Sequence, residues 1–181
     1  MKKVTINDVS KLVNELMNKS FKFQTERGSY NLSASDIGYT FEFDNAKRIF
    51  GRCFYTRHKI TISKGICEAN LDKLNTQIKD TILHEIAHAF CVYAYGVKEG
   101  RGHGEKWRSI AKQIGSNGER CYSSSEVTPV LSKYSLVCDS CGRSVPKHRK
   151  PSVERACGVC CRKHNNGKFT PEFKMKLVLN K

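Results

Sequence analysis

The sequence predicts an α+β protein in two parts: helices packed on a short, mainly antiparallel sheet, followed by a small C-terminal ribbon that four cysteines hold together. Three observations support this prediction. Apolar residues recur at helical spacing in three segments, short β-rich runs separate the first two segments, and two C-x-x-C pairs lie near the C-terminus. A chain of 181 residues has room for one core of ordinary size and a small appendage.

Three helices are expected in the N-terminal part. Residues 5–19 carry apolar side chains at the spacing of a helix, which is typical of an amphipathic helix. Residues 74–95 return to helical character, and Gly96 stands just past the expected end. A third helix is expected over residues 105–114.

The strands are expected between the first two helices. Residues 39–43, 48–56 and 59–63 are short runs rich in β-branched and aromatic residues, and turn-forming or polar residues separate them. A small, mainly antiparallel sheet is the simplest arrangement of such runs.

A linker is expected over residues 116–130, because this segment is rich in Ser, Gly and Asn and contains Pro129. The predicted domains are therefore residues 1–130, the core, and residues 131–181, the ribbon. The ribbon has few apolar residues before Phe173, too few to form a core without a metal ion.

The charge of the chain favours nucleic acid as a partner. Lys and Arg number 32 against 17 Asp and Glu, and the resulting formal charge of +15 attracts polyanions. The longest apolar run is too short to cross a bilayer, and the N-terminal residues lack the apolar core of a signal peptide. We therefore expect a cytoplasmic protein, or a nuclear one in a eukaryotic cell, with no membrane association.

The string H-E-I-A-H lies inside the second predicted helix. Residues four apart lie on one helix face, so His84 and His88 can bind a single metal ion. Glu85 follows round the same turn, where its carboxylate can reach water at the metal without becoming a ligand. This pattern indicates a zinc-dependent peptidase, with Glu85 as general base and then as proton donor to the leaving amine.

A catalytic zinc ion usually takes three protein ligands, so a third donor is needed. His103 is the best candidate, because it sits in E-G-R-G-H-G-E-K-W. There Gly100, Gly102 and Gly104 let the backbone bend tightly and bring the next helix against the first. Without the preceding H-E-x-x-H, His103 would be interpreted as an ordinary loop histidine.

The C-terminal cysteines have the spacing of a four-cysteine zinc site. Cys138 and Cys141 form one C-x-x-C pair, and Cys157 and Cys160 form the second after fifteen intervening residues. A structural zinc ion held by four thiolates can organise a segment too small to fold alone. Cys161 could replace Cys160 as the fourth ligand, although the spacing favours Cys160.

Other cysteines are interpreted without a metal. The chain has nine, which are expected to be reduced thiols. Four of them have no ligand spacing and are interpreted as small core or surface thiols: Cys53, Cys67, Cys91 and Cys121.

Positive charge is concentrated in the ribbon. From Cys138 onward, 11 Lys and Arg face 3 Asp and Glu, so +8 of the +15 lies on the last 44 residues. These residues are expected to contact DNA phosphates, the alternative being a solvated charged surface. The predicted contacts are Arg143, Lys147, Arg149, Lys150, Arg155, Arg162 and Lys163.

Four features together resemble the SprT-like, or Spartan-like, metalloprotease family. They are H-E-I-A-H at 84–88, H-G-E-K-W at 103–107, the strand K-I-T-I-S at 59–63 and the paired C-terminal cysteines. The resemblance extends over about residues 5–165 in the order of elements. It implies a compact, zincin-like α+β core, and a link to DNA, because the best-known members degrade proteins crosslinked to DNA.

The resemblance also implies roles for individual residues. His84, His88 and His103 would be the zinc ligands, and Glu85 the catalytic acid and base. The fourteen residues between His88 and His103 argue against a metzincin, whose third histidine follows sooner.

The sequence therefore predicts a zinc metallopeptidase with one catalytic and one structural Zn²⁺. The resemblance implies that it hydrolyses protein substrates near single-stranded or crosslink-bearing DNA, in a DNA repair role. One alternative is a nucleic-acid-binding zinc protein with a catalytically idle H-E-x-x-H site, and another is a peptidase that acts without DNA. Glu85 argues against the first, because a purely structural zinc ion needs no carboxylate beside its first ligand.

Overall fold

The computed structural model describes residues 3–120 and 126–180 and divides the chain into two compact units, Met1–Val130 and Leu131–Lys181. Each unit has its own hydrophobic core. Cys121, interpreted above as a core or surface thiol, lies outside the described residues. Within the described part of the chain, no helix is both long enough and apolar enough to cross a membrane.

Helix α1 (Ile6–Asn18) opens the first unit and confirms the helix expected over residues 5–19. Its N-terminus is capped, because the backbone N–H of Thr5 donates to the carboxylate of Asp8 over 2.9 Å. One face of the helix is buried in the core, through Val9, Val13, Leu16 and Met17.

A hairpin that the sequence analysis did not predict follows α1. Strands β1 (Phe21–Thr25) and β2 (Gly28–Leu32) pair in antiparallel fashion. Phe21 and Phe23 alternate with exposed polar residues and enter the core, where Phe23 stacks on Phe90 at a centroid distance of 5.0 Å.

The three predicted strands form one sheet, but it is mixed, not mainly antiparallel. Strands β3 (Thr40–Asp44), β4 (Gly51–Phe54) and β5 (Lys59–Ser63) lie in the order β3-β5-β4. The tight turn at Tyr55–Arg57 returns the chain from β4 into an antiparallel β5. Strand β3 instead lies on the far side of β5 and runs parallel to it, so β4 is an edge strand.

The central helix of the unit is α3 (Lys79–Tyr95), which follows the short helix α2 (Lys64–Glu68). It begins five residues later than expected, because Leu74–Ile78 forms a π-helical turn, and it ends at Gly96 as predicted. The helix is buried on most of its faces, with Ile82, Ile86, Ala87, Ala89 and Phe90 fully enclosed.

Two helices complete the first unit. Helix α4 (Val97–Gly100) is a single turn that packs against α3. Helix α5 (Glu105–Gln113) confirms the helix expected over residues 105–114 and packs on both α3 and β1. The segment between α4 and α5 carries His103.

The expected linker over residues 116–130 belongs to the first unit in its described parts. The buried side chain of Asn70 donates to the carbonyl of Thr128 over 2.8 Å and accepts from its N–H over 2.7 Å. The backbone N–H of Asn117 donates to the carboxylate of Asp80 over 2.8 Å. The linker prediction is therefore wrong here, because side chains of the core satisfy backbone groups that composition alone would leave to solvent.

The second unit is a small antiparallel sheet with one helix. Strands β6 (Tyr134–Val137), β7 (Ser144–Lys147) and β8 (Lys176–Leu179) lie in the order β7-β6-β8, and helix α6 (Gly158–His164) follows β7 in the chain. The core consists of a few apolar side chains and four buried cysteines: Leu136, Phe173, Met175, Cys138, Cys157, Cys160 and Cys161.

Candidate metal centre

Three predicted ligands converge on one point. Helix α3 places His84 and His88 one turn apart, and His103 approaches them from the segment just before α5. The Nε2 atom of His103 lies 3.0 Å from Nε2 of His84 and 3.1 Å from Nε2 of His88. Two uncharged imidazoles can share one hydrogen bond, but three Nε2 atoms this close could together hold one metal ion.

Backbone carbonyls orient two of these rings. Nδ1 of His88 donates to the carbonyl oxygen of Gly100 over 2.6 Å, which leaves Nε2 as the lone-pair nitrogen that faces the other two. His84 hydrogen-bonds to the backbone of Glu119. Glu119 lies within residues 116–130, which were expected to form a linker, so that segment helps to build the site.

Trp107 packs against all three rings. Its ring centroid lies 4.6 Å from that of His84, 5.1 Å from that of His88 and 4.6 Å from that of His103. The indole is fully buried, so it forms an apolar support that restricts the orientation of each ligand. Trp107 thus supports the three candidate ligands as well as filling the core.

The three histidines are held in the uncharged form that binds metal. Burial, with smaller contributions from His88 and His103, lowers the pKa of His84 to about 3. Burial likewise lowers the pKa of His88 to about 4. A Zn²⁺ ion fits the donor set, because tetrahedral Zn–N bonds of about 2.0–2.1 Å place the nitrogens roughly 3.3–3.4 Å apart, close to the separations found.

Glu85 is buried beside the triad and against the edge strand. Burial raises the pKa of its carboxyl group to about 8. A Cβ atom on Gly51 of β4 would lie 2.7 Å from Oε1 of Glu85 and 2.9 Å from Cγ2 of Thr81. Only a residue without a side chain lets β4 approach α3 this closely, and sequence reasoning missed Gly51, whose signal was a glycine inside a β-rich run.

Gly100 has a similar function in the loop before His103. A Cβ atom at this position would lie 2.3 Å from Cγ2 and 2.5 Å from the backbone nitrogen of Val92. The missing side chain therefore brings the Gly100 carbonyl within reach of His88. Gly104, by contrast, would place a Cβ atom with no neighbour within 4 Å, so the three glycines of this loop are not equivalent.

A cleft of about 720 Å³ opens over the triad and Glu85. One wall is the edge strand β4 with the residues just before it, and another is residues 119–129 in their described parts. Cys53, interpreted above as a core or surface thiol, also lines the cleft, and burial and then the charge of Glu85 raise the pKa of its thiol to about 12. Cys67 and Cys91 are buried in the core.

The predicted ribbon ligands also converge. The sulfur of Cys138 lies 3.8 Å from that of Cys160, and the sulfur of Cys141 lies 3.6 Å from that of Cys157. All four sulfurs lie within 4.8 Å of one another. Zn²⁺ fits this set too, because tetrahedral Zn–S bonds of about 2.3 Å separate the sulfurs by about 3.8 Å. Cys161 is buried in the same core but does not belong to this sulfur cluster.

Helix α6 favours the thiolate form at one of these cysteines. The backbone N–H of Cys160, and less strongly that of Val159, donates to the sulfur of Cys157 and lowers its pKa to about 6. A ligand already deprotonated loses no proton when it binds a metal ion.

Four of the seven predicted phosphate contacts surround one small pocket in the ribbon. Its volume is about 190 Å³, and its apolar lining includes Leu136, Val145 and Met175. The basic residues that line it are Arg143, Lys147, Arg155 and Arg162. The other three predicted contacts, Arg149, Lys150 and Lys163, are exposed and do not line this pocket.

A comparison with protein families assigns most of the first unit. A model of the SprT-like family matches residues 11–128, a range that includes Glu85 and the three histidines. No curated protein and no solved structure matches the chain.

Proposed function

The chain belongs to the SprT-like family, and from that premise we propose that it is a zinc-dependent metallopeptidase that cleaves DNA-associated protein substrates. The observation that carries the proposal is the placement of the Glu85 carboxylate beside a converging triad of His84, His88 and His103, at the floor of an open cleft. A site built only to hold a structural ion would need neither the carboxylate nor the cleft.

The chemistry divides between the ion and the chain. Bound by three imidazoles, Zn²⁺ supplies a Lewis acid that activates water and polarises a carbonyl group. Glu85, whose carboxyl group would be ionised by the positive charge of the bound Zn²⁺, accepts a proton from the attacking water and passes the proton to the leaving nitrogen. The backbones of Gly100 and Glu119 hydrogen-bond to the rings of His88 and His84. The indole of Trp107 packs against the imidazoles and restricts their orientation.

The edge strand gives the substrate a place to lie. Strand β4 pairs with β5 along one edge, and its residues Gly51–Phe54 line the cleft. Backbone groups on its other edge can therefore hydrogen-bond an extended polypeptide, as edge strands commonly do. Gly51 keeps this strand against Glu85, so the scissile bond lies near the general base.

Positive charge supports the association with DNA. The last 44 residues carry +8 of the net +15, and four of their basic side chains line one pocket. Such a surface binds phosphates with little sequence preference and raises the concentration of DNA-bound proteins near the cleft.

Metal removal and restoration test the proposal. The full chain, stripped of metal and then reloaded with zinc, is incubated with a basic DNA-binding protein in the presence and absence of DNA. We expect the zinc-loaded chain to cleave the protein and the metal-free chain not to cleave it. Cleavage should be faster when DNA is present. No cleavage in either condition would contradict a peptidase, and equal rates with and without DNA would contradict the DNA association only.

A further inference from the structure

The cleft over the metal centre is lined mainly by positive charge. Apart from histidines, its charged residues are five basic side chains and two carboxylates, one of which is Glu85 itself and the other Glu119. The basic residues are Lys47, Arg48, Arg52, Arg101 and Arg120. These residues belong to the first unit, whereas the basic residues of the ribbon belong to the second.

Two of these arginines lie close to the reacting centre. Arg101 lies two residues before His103, and Arg120 directly follows Glu119, whose backbone hydrogen-bonds to His84. Both arginines line the cleft together with the three histidines and Glu85.

These charges are available to a ligand. In residues 3–120 and 126–180, the only one of the five in an ion pair is Arg52, whose guanidinium lies 4.0 Å from the carboxylate of Asp44. The other four side chains are exposed at the rim of the cleft. A substrate that supplies carboxylates would therefore meet cations that form no ion pair with the described part of the chain.

We infer that the cleft selects polypeptide segments with acidic side chains beside the scissile bond, and that Arg101 and Arg120 determine this preference. The inference rests on the proposed peptidase function. A substrate segment extended along β4 would place its side chains at the rim of the cleft. There a substrate carboxylate would be attracted by the guanidinium groups of Arg101 and Arg120, and a substrate lysine would be repelled by them. Because the rim is exposed to solvent, each pairing should change kcat/KM by about two- to fivefold.

With this preference, one surface would recruit the enzyme to its substrate and another would select the bond that is cleaved. The basic ribbon would bring the enzyme to proteins on DNA, whereas the cleft would cut their acidic segments and reject lysine-rich tails. A basic DNA-binding protein would then be cut mainly in the acidic stretches of its sequence.

Synthetic peptides test the preference directly. One randomised apolar core is flanked by Glu, by Gln or by Lys, and kcat/KM is measured with the zinc-loaded full chain. We expect the order Glu, Gln, Lys, with about two- to fivefold between neighbours, and a smaller spread at high salt. The double variant Arg101→Gln with Arg120→Gln should remove most of the spread, whereas Lys22→Gln, an exposed lysine of β1 outside the cleft, should leave it unchanged.

Each result decides one question. Zinc content and melting temperature confirm that the double variant is folded, and the two single variants replace it if it is not. Equal rates for the three peptides, or an equal loss on all three in the double variant, would overturn the inference alone. A double variant that loses affinity for a single-stranded oligonucleotide but keeps the peptide spread would assign these arginines to nucleic acid and overturn it as well. No zinc-dependent cleavage of any peptide would overturn the proposed function, and the inference with it.

Discussion

Gly51 and Glu85 are in such close contact that a Cβ atom on Gly51 would lie 2.7 Å from Oε1 of Glu85. The proposed general base and the edge strand are thus held together by the absence of one side chain. The proposed metal ligands are other residues, two on α3 and one after it, so this contact can be disturbed without removing a ligand.

Replacing Gly51 by alanine should lower activity and leave the metal in place. The added methyl group must displace Glu85 or β4, and a misplacement of about 1 Å at a catalytic group can reduce turnover by roughly 100-fold. We expect kcat to fall by about 10- to 100-fold, with zinc content unchanged in metal analysis. A suitable control is Gly104→Ala, because a Cβ there has no neighbour within 4 Å; equal losses in both variants would contradict this explanation.

Replacing Gly100 by alanine should instead weaken metal binding. A Cβ atom would overlap with Val92, and the carbonyl of Gly100 would move away from Nδ1 of His88. Loss of such an outer hydrogen bond typically lowers zinc affinity by about 10- to 100-fold. Competition with a chelator measures this affinity, and wild-type affinity in Gly100→Ala would show that His88 needs no orienting carbonyl.

The chain should bind two zinc ions, one in each unit. Metal analysis of wild type should give a stoichiometry near two, and Cys160→Ser should lower it to about one because a thiolate ligand is lost. Cys161→Ser is the matched comparison, since Cys161 is buried in the same core but stands outside the sulfur cluster. Loss of zinc in Cys161→Ser with retention in Cys160→Ser would reverse the assignment of the fourth ligand.

DNA binding should depend most on the basic residues that share the ribbon pocket. Log affinity should fall linearly with log salt, and Arg143→Gln with Arg155→Gln should reduce the slope by about one unit for each phosphate that is no longer neutralised. Lys150→Gln with Lys163→Gln removes the same charge away from the pocket and should change the slope less. Equal changes in the two pairs would mean that only the net charge matters.

The convergence of the predicted ligands follows from a sequence pattern that is local. His84 and His88 share one helix face, and each C-x-x-C pair is a short turn, so spacing alone brings those donors together. His103 required one further step, the reversal of the chain after α3. Its place in the cluster is consistent with that step.

The features that sequence reasoning missed depend on interactions between distant residues. The parallel pairing of β3 with β5 is set by how the chain crosses the sheet, which β-rich runs alone do not reveal. The hydrogen bond from Asn70 to Thr128 joins residues 58 positions apart. Sequence reasoning saw only the composition of residues 116–130, which is typical of a linker. Gly51 was missed for the same reason, because the residue that it contacts, Glu85, lies on a helix that follows later in the chain.

The most direct test of the central claim is the activity and zinc content of Glu85→Gln. The amide has nearly the same shape as the carboxylate but cannot accept the proton from water. We expect zinc at the wild-type level and peptide hydrolysis lower by about 100- to 10,000-fold, the usual contribution of general acid–base catalysis. Hydrolysis at the wild-type rate would contradict the assignment of Glu85 as general base, and loss of zinc together with activity would show that it serves as a ligand or in folding.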